Sequence, residues 1–367
     1  MDGVAAGLRL SVVVPARNEE RVLGACLESL VRQSEVGFAL GHDWELIVVD
    51  DGSTDGTRAV AERVAGISGA GSASGTDEVR RVSGIQVIAA PEVDLTERGG
   101  FTGKNGACWV GAQRAQGAWI LFTDADTVHE MGDLSRALHE AAKYKAGMLS
   151  YSPRQVVTGL GQRMVMPLVF GELASVYPPK KVSDPADRLA AANGQFLMVE
   201  REAYFAVGGH RAIGKEILED VALAERMKRA KVGIRFRYAP EALSARMYGT
   251  FGEMVEGWTK NLALLFPRPL LLAAMMALQF CLFFGLPLLA FAMPNLVDWQ
   301  RLAIVVVWIR TTWGFYRRVS RSNFPAIDVA TSILGVPVFC WLLVRSYVRH
   351  RVRRSVDWKG RSYRVER

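Results

Sequence analysis

The sequence is poor in metal-binding and redox-active side chains, with four Cys and five His in 367 residues. Cys26, Cys108, Cys281 and Cys340 stand far apart, and no CxxC or Cys/His cluster occurs. That argues against a disulfide scaffold and a structural zinc site, and it suits a reducing compartment. No G-x-G-x-x-G follows the first apolar run, which disfavours a nicotinamide-dependent dehydrogenase. Residues 1–10 lack an apolar run long enough for a signal peptide, and no internal repeat is visible. Excess positive charge is also scarce outside one place. Residues 345–367 hold eight Arg and one Lys against Asp357 and Glu366, so +7 of the net +8 lies there and about +1 in the rest. The basicity is a tail and not a groove, which argues against a nucleic-acid-binding enzyme.

What is present is apolar and alternating. Hydrophobic residues make up 50% and charged residues 22%, enough for a packed core and too apolar for global disorder. The length allows two or three units. Strands are expected at 10–14, 46–49, 87–90 and 119–123, and helices at 19–33, 54–64 and 105–115. A further amphipathic helix is expected from Leu218 to Lys231. This alternation predicts an α/β fold, a mostly parallel sheet with helices on both faces. The Gly- and Ser-rich stretch 66–84 reads as a mobile surface insertion.

Composition shifts after Trp258. The run 270–293 carries no charge and is long enough to cross about 30 Å of hydrocarbon. Segments 302–316, with Arg310 inside, and 324–344, with Asp328, are also mainly apolar. Three such segments in succession predict a membrane region over 262–346, followed by a basic tail at 347–367.

Four constellations carry chemistry. Val14-Pro15-Ala16-Arg17-Asn18-Glu19 ends a strand in a turn whose N–H groups can hold a nucleotide edge; equally, Asn18 can simply cap the next helix. Asp50 and Asp51 lie at the tip of the second strand, where open α/β sheets bind ligands, while Ser53, Thr54 and Asp55 are expected to cap the following helix. Asp124-Ala125-Asp126 ends another strand with two carboxylates, placed on one side by the alternation of an extended segment. Such a pair suits Mg²⁺ or Mn²⁺, with diphosphate oxygens and water completing the shell; a solvated turn is the plainer alternative. Glu219-Asp220 opens a helix, where the dipole favours acids, but a carboxylate there can also act as general base.

Together and in this order, over roughly residues 8–262, these elements resemble glycosyltransferase family 2, the inverting GT-A enzymes. The resemblance implies a GT-A domain over 8–260 and substrate contacts from Pro15, Ala16, Arg17 and Glu19, with Asp51 as the nucleotide-binding carboxylate. It implies Asp126 as metal ligand with Asp124 beside it, and Asp220 as catalytic base with Glu219. Lys104, in Gly103-Lys104-Asn105, would approach the diphosphate. Asn193 and Gly194, ahead of Gly208-Gly209-His210, resemble the acceptor-side segment. The three apolar segments, Gly257-Trp258-Thr259-Lys260-Asn261 and the tail 357–363 are similar to membrane members acting on carotenoid, hopanoid or ceramide acceptors. Processive members carry a QxxRW-like motif where this chain reads Trp258-Thr259-Lys260-Asn261. Lys260 would offer the diphosphate a point charge but not the fork of Arg.

The expected activity is therefore the inverting, metal-assisted transfer of one sugar from a nucleotide-diphosphate sugar to a hydroxyl or carboxyl of a lipid-like acceptor. The expected cofactor is Mg²⁺ or Mn²⁺. The expected location is the inner, cytoplasmic membrane, spanned more than once, with the catalytic domain on the cytoplasmic side and no nucleic-acid partner. The alternatives are a processive polysaccharide synthase and a non-catalytic nucleotide-sugar-binding subunit of a membrane assembly.

Overall fold

A computed structural model describes residues 8–33, 35–66, 79–82, 84–90, 103–293, 295–353, 355–358 and 361–364. The chain divides into two compact units, residues 1–155 with 179–246, and residues 156–178 with 247–367. Composition alone drew the boundary near residue 260. Contacts begin the second unit earlier, at Met247, and add Val156–Pro178 to it.

The first unit alternates strand and helix as far as β7. Its elements run β1 (Leu10–Ala16), α1 (Leu23–Val31), β2 (Trp44–Asp50), α2 (Thr57–Val64), β3 (Val79–Val82), β4 (Ile85–Ala89), α3 (Gly103–Arg114), β5 (Trp119–Phe122), β6 (Thr127–His129), α4 (Asp133–Lys143), β7 (Met148–Ser152) and β8 (Arg154–Gln155). After α5 (Leu160–Val176), which belongs to the other unit, come α6 (Pro179–Ser183), β9 (Leu197–Glu200), α7 (Arg201–Ala206), α8 (Glu219–Arg229), β10 (Ile234–Tyr238) and β11 (Leu243–Ala245).

Eight strands form one sheet in the order β10-β7-β9-β5-β1-β2-β4-β3. β5, β1, β2 and β4 are mutually parallel, β7 is parallel to β10, and β9 and β3 run antiparallel to their neighbours. The expected mostly parallel sheet is thus present. Near-continuous apolar runs in β1 and β2 fit strands covered on both faces; Val12, Val13, Val14, Leu46, Ile47 and Val49 are all buried. Ser11 is buried among them because its hydroxyl donates to Glu45, and Glu45 in turn accepts from Gln86 and from the Gln116 N–H. A second sheet, β6-β11-β8, stands apart from the main one. Of the insertion 66–84, residues 67–78 and 83 lie outside the described residues. Val79–Val82 are not loose loop but the edge strand β3, paired with β4.

The second unit is helical. Besides α5 it holds α9 (Phe251–Leu265), α10 (Pro269–Ala292), α11 (Asp298–Val319), α12 (Ala326–Thr331) and α13 (Val336–Tyr347), then a hairpin of β12 (Ser355–Trp358) and β13 (Arg361–Arg364). α12 and α13 continue through a tighter turn into one apolar helical stretch, Ala326–Val352. This 27-residue stretch and the 24 residues of α10 are the two helices long and apolar enough to cross a membrane among the described residues. α11, the middle of the three expected segments, is helical, but Arg301, Arg310, Arg317 and Arg318 interrupt its apolar character. The core of the second unit includes Trp258, Phe315, Phe339 and Leu342, whereas Met275, Leu278, Leu288 and Phe291 of α10 are exposed. Charged groups here are paired: Arg163 Nε lies 2.7 Å from Asp328, and Arg318 Nε lies 3.1 Å from Glu172. Gly171 lets α5 come close to α11, since a Cβ there would sit 2.9 Å from the Val319 Cα. Small residues at close helix crossings are the usual means of such an approach.

Candidate active site

The strand order locates the site. The chain runs outward from β1 through β2 to β4, then returns by α3 to β5 on the other side of β1. Order reverses between β1 and β5, and open α/β sheets bind ligands outside the carboxyl ends of the strands at such a reversal. In register, Ala16 pairs with Asp50, and Val13 with Phe122. Arg17, Asp51 and Asp124 therefore all leave the sheet at one edge.

On the β1–β2 side, loop residues hold each other. The Asp51 N–H donates to the Ala16 carbonyl. Arg17 Nη1 donates to the Asp51 carbonyl at 2.7 Å and lies 3.7 Å from its carboxylate. Pro15 is half-buried at the end of β1. The Glu19 N–H donates to Thr57 Oγ1. Asn18, in a left-handed conformation at φ 53°, does not cap α1, which begins only at Leu23. Instead its N–H donates to Ser53 Oγ, and its Oδ1 accepts from the Thr54 N–H. Of the expected cap of α2, Asp55 accepts from the Thr57 N–H, while Ser53 serves Asn18.

On the β5 side, the acidic residues meet a lysine. Lys104, in the first turn of α3, places Nζ 2.7 Å from Asp124 Oδ1 and 2.7 Å from Glu219 Oε1. Burial opposes its charge, but the two carboxylates outweigh that and hold its pKa well above the ordinary range. Asp124 and Asp126 occupy a turn between β5 and β6, not the extended segment expected from the sequence. Both are partly exposed, and Ala125 between them is buried.

Asp220 follows Glu219 in the first turn of α8. Its Oδ2 accepts from the Gly194 N–H at 2.9 Å, and its Oδ1 from the Val221 N–H at 2.8 Å. Enclosure by protein, with the Glu219 charge alongside, pushes its carboxyl up to about 7. A proton acceptor poised near neutrality is what general-base chemistry needs. Gly194 sits close under the cluster: a Cβ there would lie 3.0 Å from Lys104 Nζ and 3.3 Å from Glu219 Oε1, so a side chain would push those ends aside by a few tenths of an ångström.

The structure thus brings together Lys104, Asp124, Gly194, Glu219 and Asp220. Asn193 supports the loop: its N–H donates to Ser150, and its Oδ1 accepts from the Gln195 N–H. Lys260 lies on α9 in the second unit, its carbonyl 2.7 Å from His350 Nε2. Two supporting residues were given no role of their own by the sequence. Asn105 is fully buried, with its amide nitrogen 3.0–3.1 Å from the carbonyls of Ile213, Gly214 and Glu216, so it pins the segment leading to Glu219. His210 is buried and hydrogen-bonded to Tyr204; burial lowers its pKa to about 4, so it is a neutral packing residue. Only its place beside Gly208-Gly209 hinted at importance.

The donor set fits a hard divalent cation. Asp124 and Asp126 offer carboxylate oxygens from one turn, while no group of three metal-capable side chains occurs among the described residues. Mg²⁺ and similar ions often take one or two carboxylates and fill the remaining positions with phosphate oxygens and water.

The chain is similar to several known proteins. The chain is 24% identical over 365 residues to the 4,4'-diaponeurosporenoate glycosyltransferase of Staphylococcus aureus strain USA300, covering 98% of this chain and 89% of that protein. Among solved structures, it is similar to the mannosyltransferase PcManGT of Pyrobaculum calidifontis, crystallised with GDP-Man and Mn²⁺ (15% identity, 96% and 89% of the two chains, TM-score 0.48). It is also similar to glucosyl-3-phosphoglycerate synthase of Mycobacterium tuberculosis (20% identity, 70% and 79% of the two chains, TM-score 0.44). The sequence model of Glycosyl transferase family 2 matches residues 11–221, more than half of the chain and every constellation described above except Lys260. With the parallel-rich sheet and the acidic cluster at its carboxyl edge, that match makes the chain a glycosyltransferase of family 2, built on a GT-A fold.

Proposed function

We propose that the protein moves one sugar from a nucleotide-diphosphate sugar to an apolar, carotenoid-type acceptor at a membrane, inverting the anomeric carbon. The observation that carries this reading is the pairing, in one cluster, of Lys104 with Asp124 and Glu219 beside an Asp220 poised near pH 7. In the reaction, the acceptor oxygen forms a bond to the anomeric carbon as the bond to the diphosphate oxygen breaks, and the nucleoside diphosphate leaves. Asp220 takes the proton of a hydroxyl acceptor; a carboxylate acceptor has none to give. Arg17 and Asp51 are assigned to the nucleotide, with the Pro15, Ala16 and Glu19 backbone around it, and Asn193 and Gly194 to the acceptor side. Lys104 is assigned to the diphosphate, exchanging part of its carboxylate pairing for phosphate oxygens. Asp126, with Asp124, would hold the divalent cation, which when bound neutralises charge on the leaving diphosphate.

The acceptor class rests on the name of the staphylococcal relative and on the apolar helices of the second unit. Those helices anchor the protein in the cytoplasmic membrane, with the catalytic unit on the side where nucleotide sugars are made. Membranes containing the protein, given labelled nucleotide sugars and a carotenoid acid or hydroxycarotenoid, should yield one sugar per acceptor. A ladder of longer products would indicate a polysaccharide synthase. Nucleotide-sugar binding with no product from any lipid extract would indicate a binding subunit.

A further inference from the structure

We propose that His129, backed by Asp133, is a positioning residue that locks the Asp124–Asp126 turn and the segment supporting Asp220 into one register through Thr123 and Thr127. The proposal rests on the reading above, in which that turn serves the donor and Asp220 the acceptor.

All four side chains are buried, with His129 and Asp133 at 0% side-chain exposure. His129 Nδ1 lies 2.7 Å from Asp133 Oδ2. On the other edge of the ring, Nε2 lies 3.1 Å from Thr123 Oγ1 and 3.3 Å from Thr127 Oγ1. Thr123 Oγ1 donates to the Gln195 carbonyl at 2.7 Å, and Thr127 Oγ1 to the Asp124 carbonyl at 2.7 Å. A hydroxyl has one proton; the two oxygens also lie 3.0 Å apart, but each has a carbonyl 2.7 Å away that can only accept, so both protons are assigned to carbonyls. Toward the imidazole, both hydroxyls must therefore accept, so Nε2 must carry a hydrogen. On its other edge the ring is held by Asp133 Oδ2, 2.7 Å from Nδ1. Nε2–H thus faces the two threonines, Asp133 holds the opposite edge of the ring, and the threonines are turned toward two different backbone segments.

Those segments are the two halves of the site. The carbonyl held by Thr127 belongs to Asp124. The carbonyl held by Thr123 belongs to Gln195, next to Gly194, whose N–H donates to Asp220. A single imidazole therefore ties the acidic turn to the backbone that supports the base. Packing alone would be met by any flat ring, since His129 also lies against Phe196 at 5.9 Å between centroids. It would not call for a buried carboxylate on Nδ1 or two hydroxyls on Nε2.

Near-isosteric variants separate the two arms. Thr127→Val should weaken binding of Mn²⁺ with UDP or GDP, measured by calorimetry, by about tenfold, the effect of one buried hydrogen bond lost. Thr123→Val should keep that binding within about twofold and lower kcat by about tenfold. His129→Phe and Asp133→Leu should do both. Asp133→Asn should restore most of each property relative to Asp133→Leu, because an amide N–H on Nδ1 keeps the proton on Nε2. If Thr123→Val, Thr127→Val and His129→Phe all bind and turn over as the wild type does, with only the melting temperature lowered, the network is packing and the proposal is overturned. If Asp126→Ala binds Mn²⁺ and nucleotide as tightly as the wild type, the donor-side reading of the turn fails instead.

Discussion

At the scale of single residues, the proposed chemistry turns on Asp220 as the base. Its raised pKa has two consequences of opposite sign. As base it must be ionised, so transfer to a hydroxyl acceptor should fall as pH drops below about 7. Transfer to a carboxylate acceptor, which needs no proton removed, should lack that limb; a kcat–pH profile with each acceptor checks this. For stability, a carboxyl whose pKa rises on folding favours the folded state at low pH and loses that advantage as pH climbs from about 4 through about 7. Asp220→Asn should therefore lose at least about a hundredfold in rate while retaining nucleotide binding. It should also melt higher than the wild type at pH 8, a gain that disappears near pH 4. Equal melting behaviour at both pH values would show that the carboxyl is not raised. Adjacent acids such as Glu219-Asp220 and the spaced pair Asp124 and Asp126 were legible in the sequence because each sits in a short motif at the end of an element. Thr123, His129 and Asp133 were not, since a Thr, a His and an Asp near a turn have many ordinary uses, and only their shared burial distinguishes them.

At the scale of elements, α3 does more than cover the sheet. Lys104 and Asn105, adjacent in its first turn, serve the ion cluster and the segment 213–216 respectively. The Ile213 carbonyl also accepts from the Glu216 N–H, but removing the Asn105 amide takes the donor that Gly214 and Glu216 share with it, at a cost of about 1–3 kcal/mol. Asn105→Ala should lower unfolding free energy by that amount in denaturant titration and should slow transfer, because Glu219 follows the freed segment. Unchanged stability would mean that water replaces the amide. Strand and helix positions in the first unit were mostly legible, since apolar runs and helical spacing are local properties. Element ends were less so. α1 starts at Leu23 and not at Glu19, because residues 18–20 bond to the β2–α2 loop in place of a first helical turn.

At the scale of the whole molecule, the second unit carries the helices on which the proposed membrane location rests. α10 and the stretch Ala326–Val352 are long and apolar enough to cross a membrane; under the proposed membrane location, two crossings would put the catalytic unit and the basic tail on the same side. The protein should stay with membranes through alkaline carbonate and leave only with detergent. The hairpin β12–β13 in the tail folds back beside α9. Truncation after Tyr347 should therefore lower activity even in neutral detergent; loss confined to low-salt vesicles of anionic lipid would assign the tail to lipid contact instead. By itself the sequence determined the family, the acidic motifs and the apolar stretches, because each is written in neighbouring residues. Only the tertiary structure decided that Lys104 lies between Asp124 and Glu219, that Gly194 supports Asp220, and that Val156–Pro178 joins the C-terminal helices. Those are contacts between residues far apart in the chain, and burial with charge pairing in the folded state selects them, which no local pattern encodes.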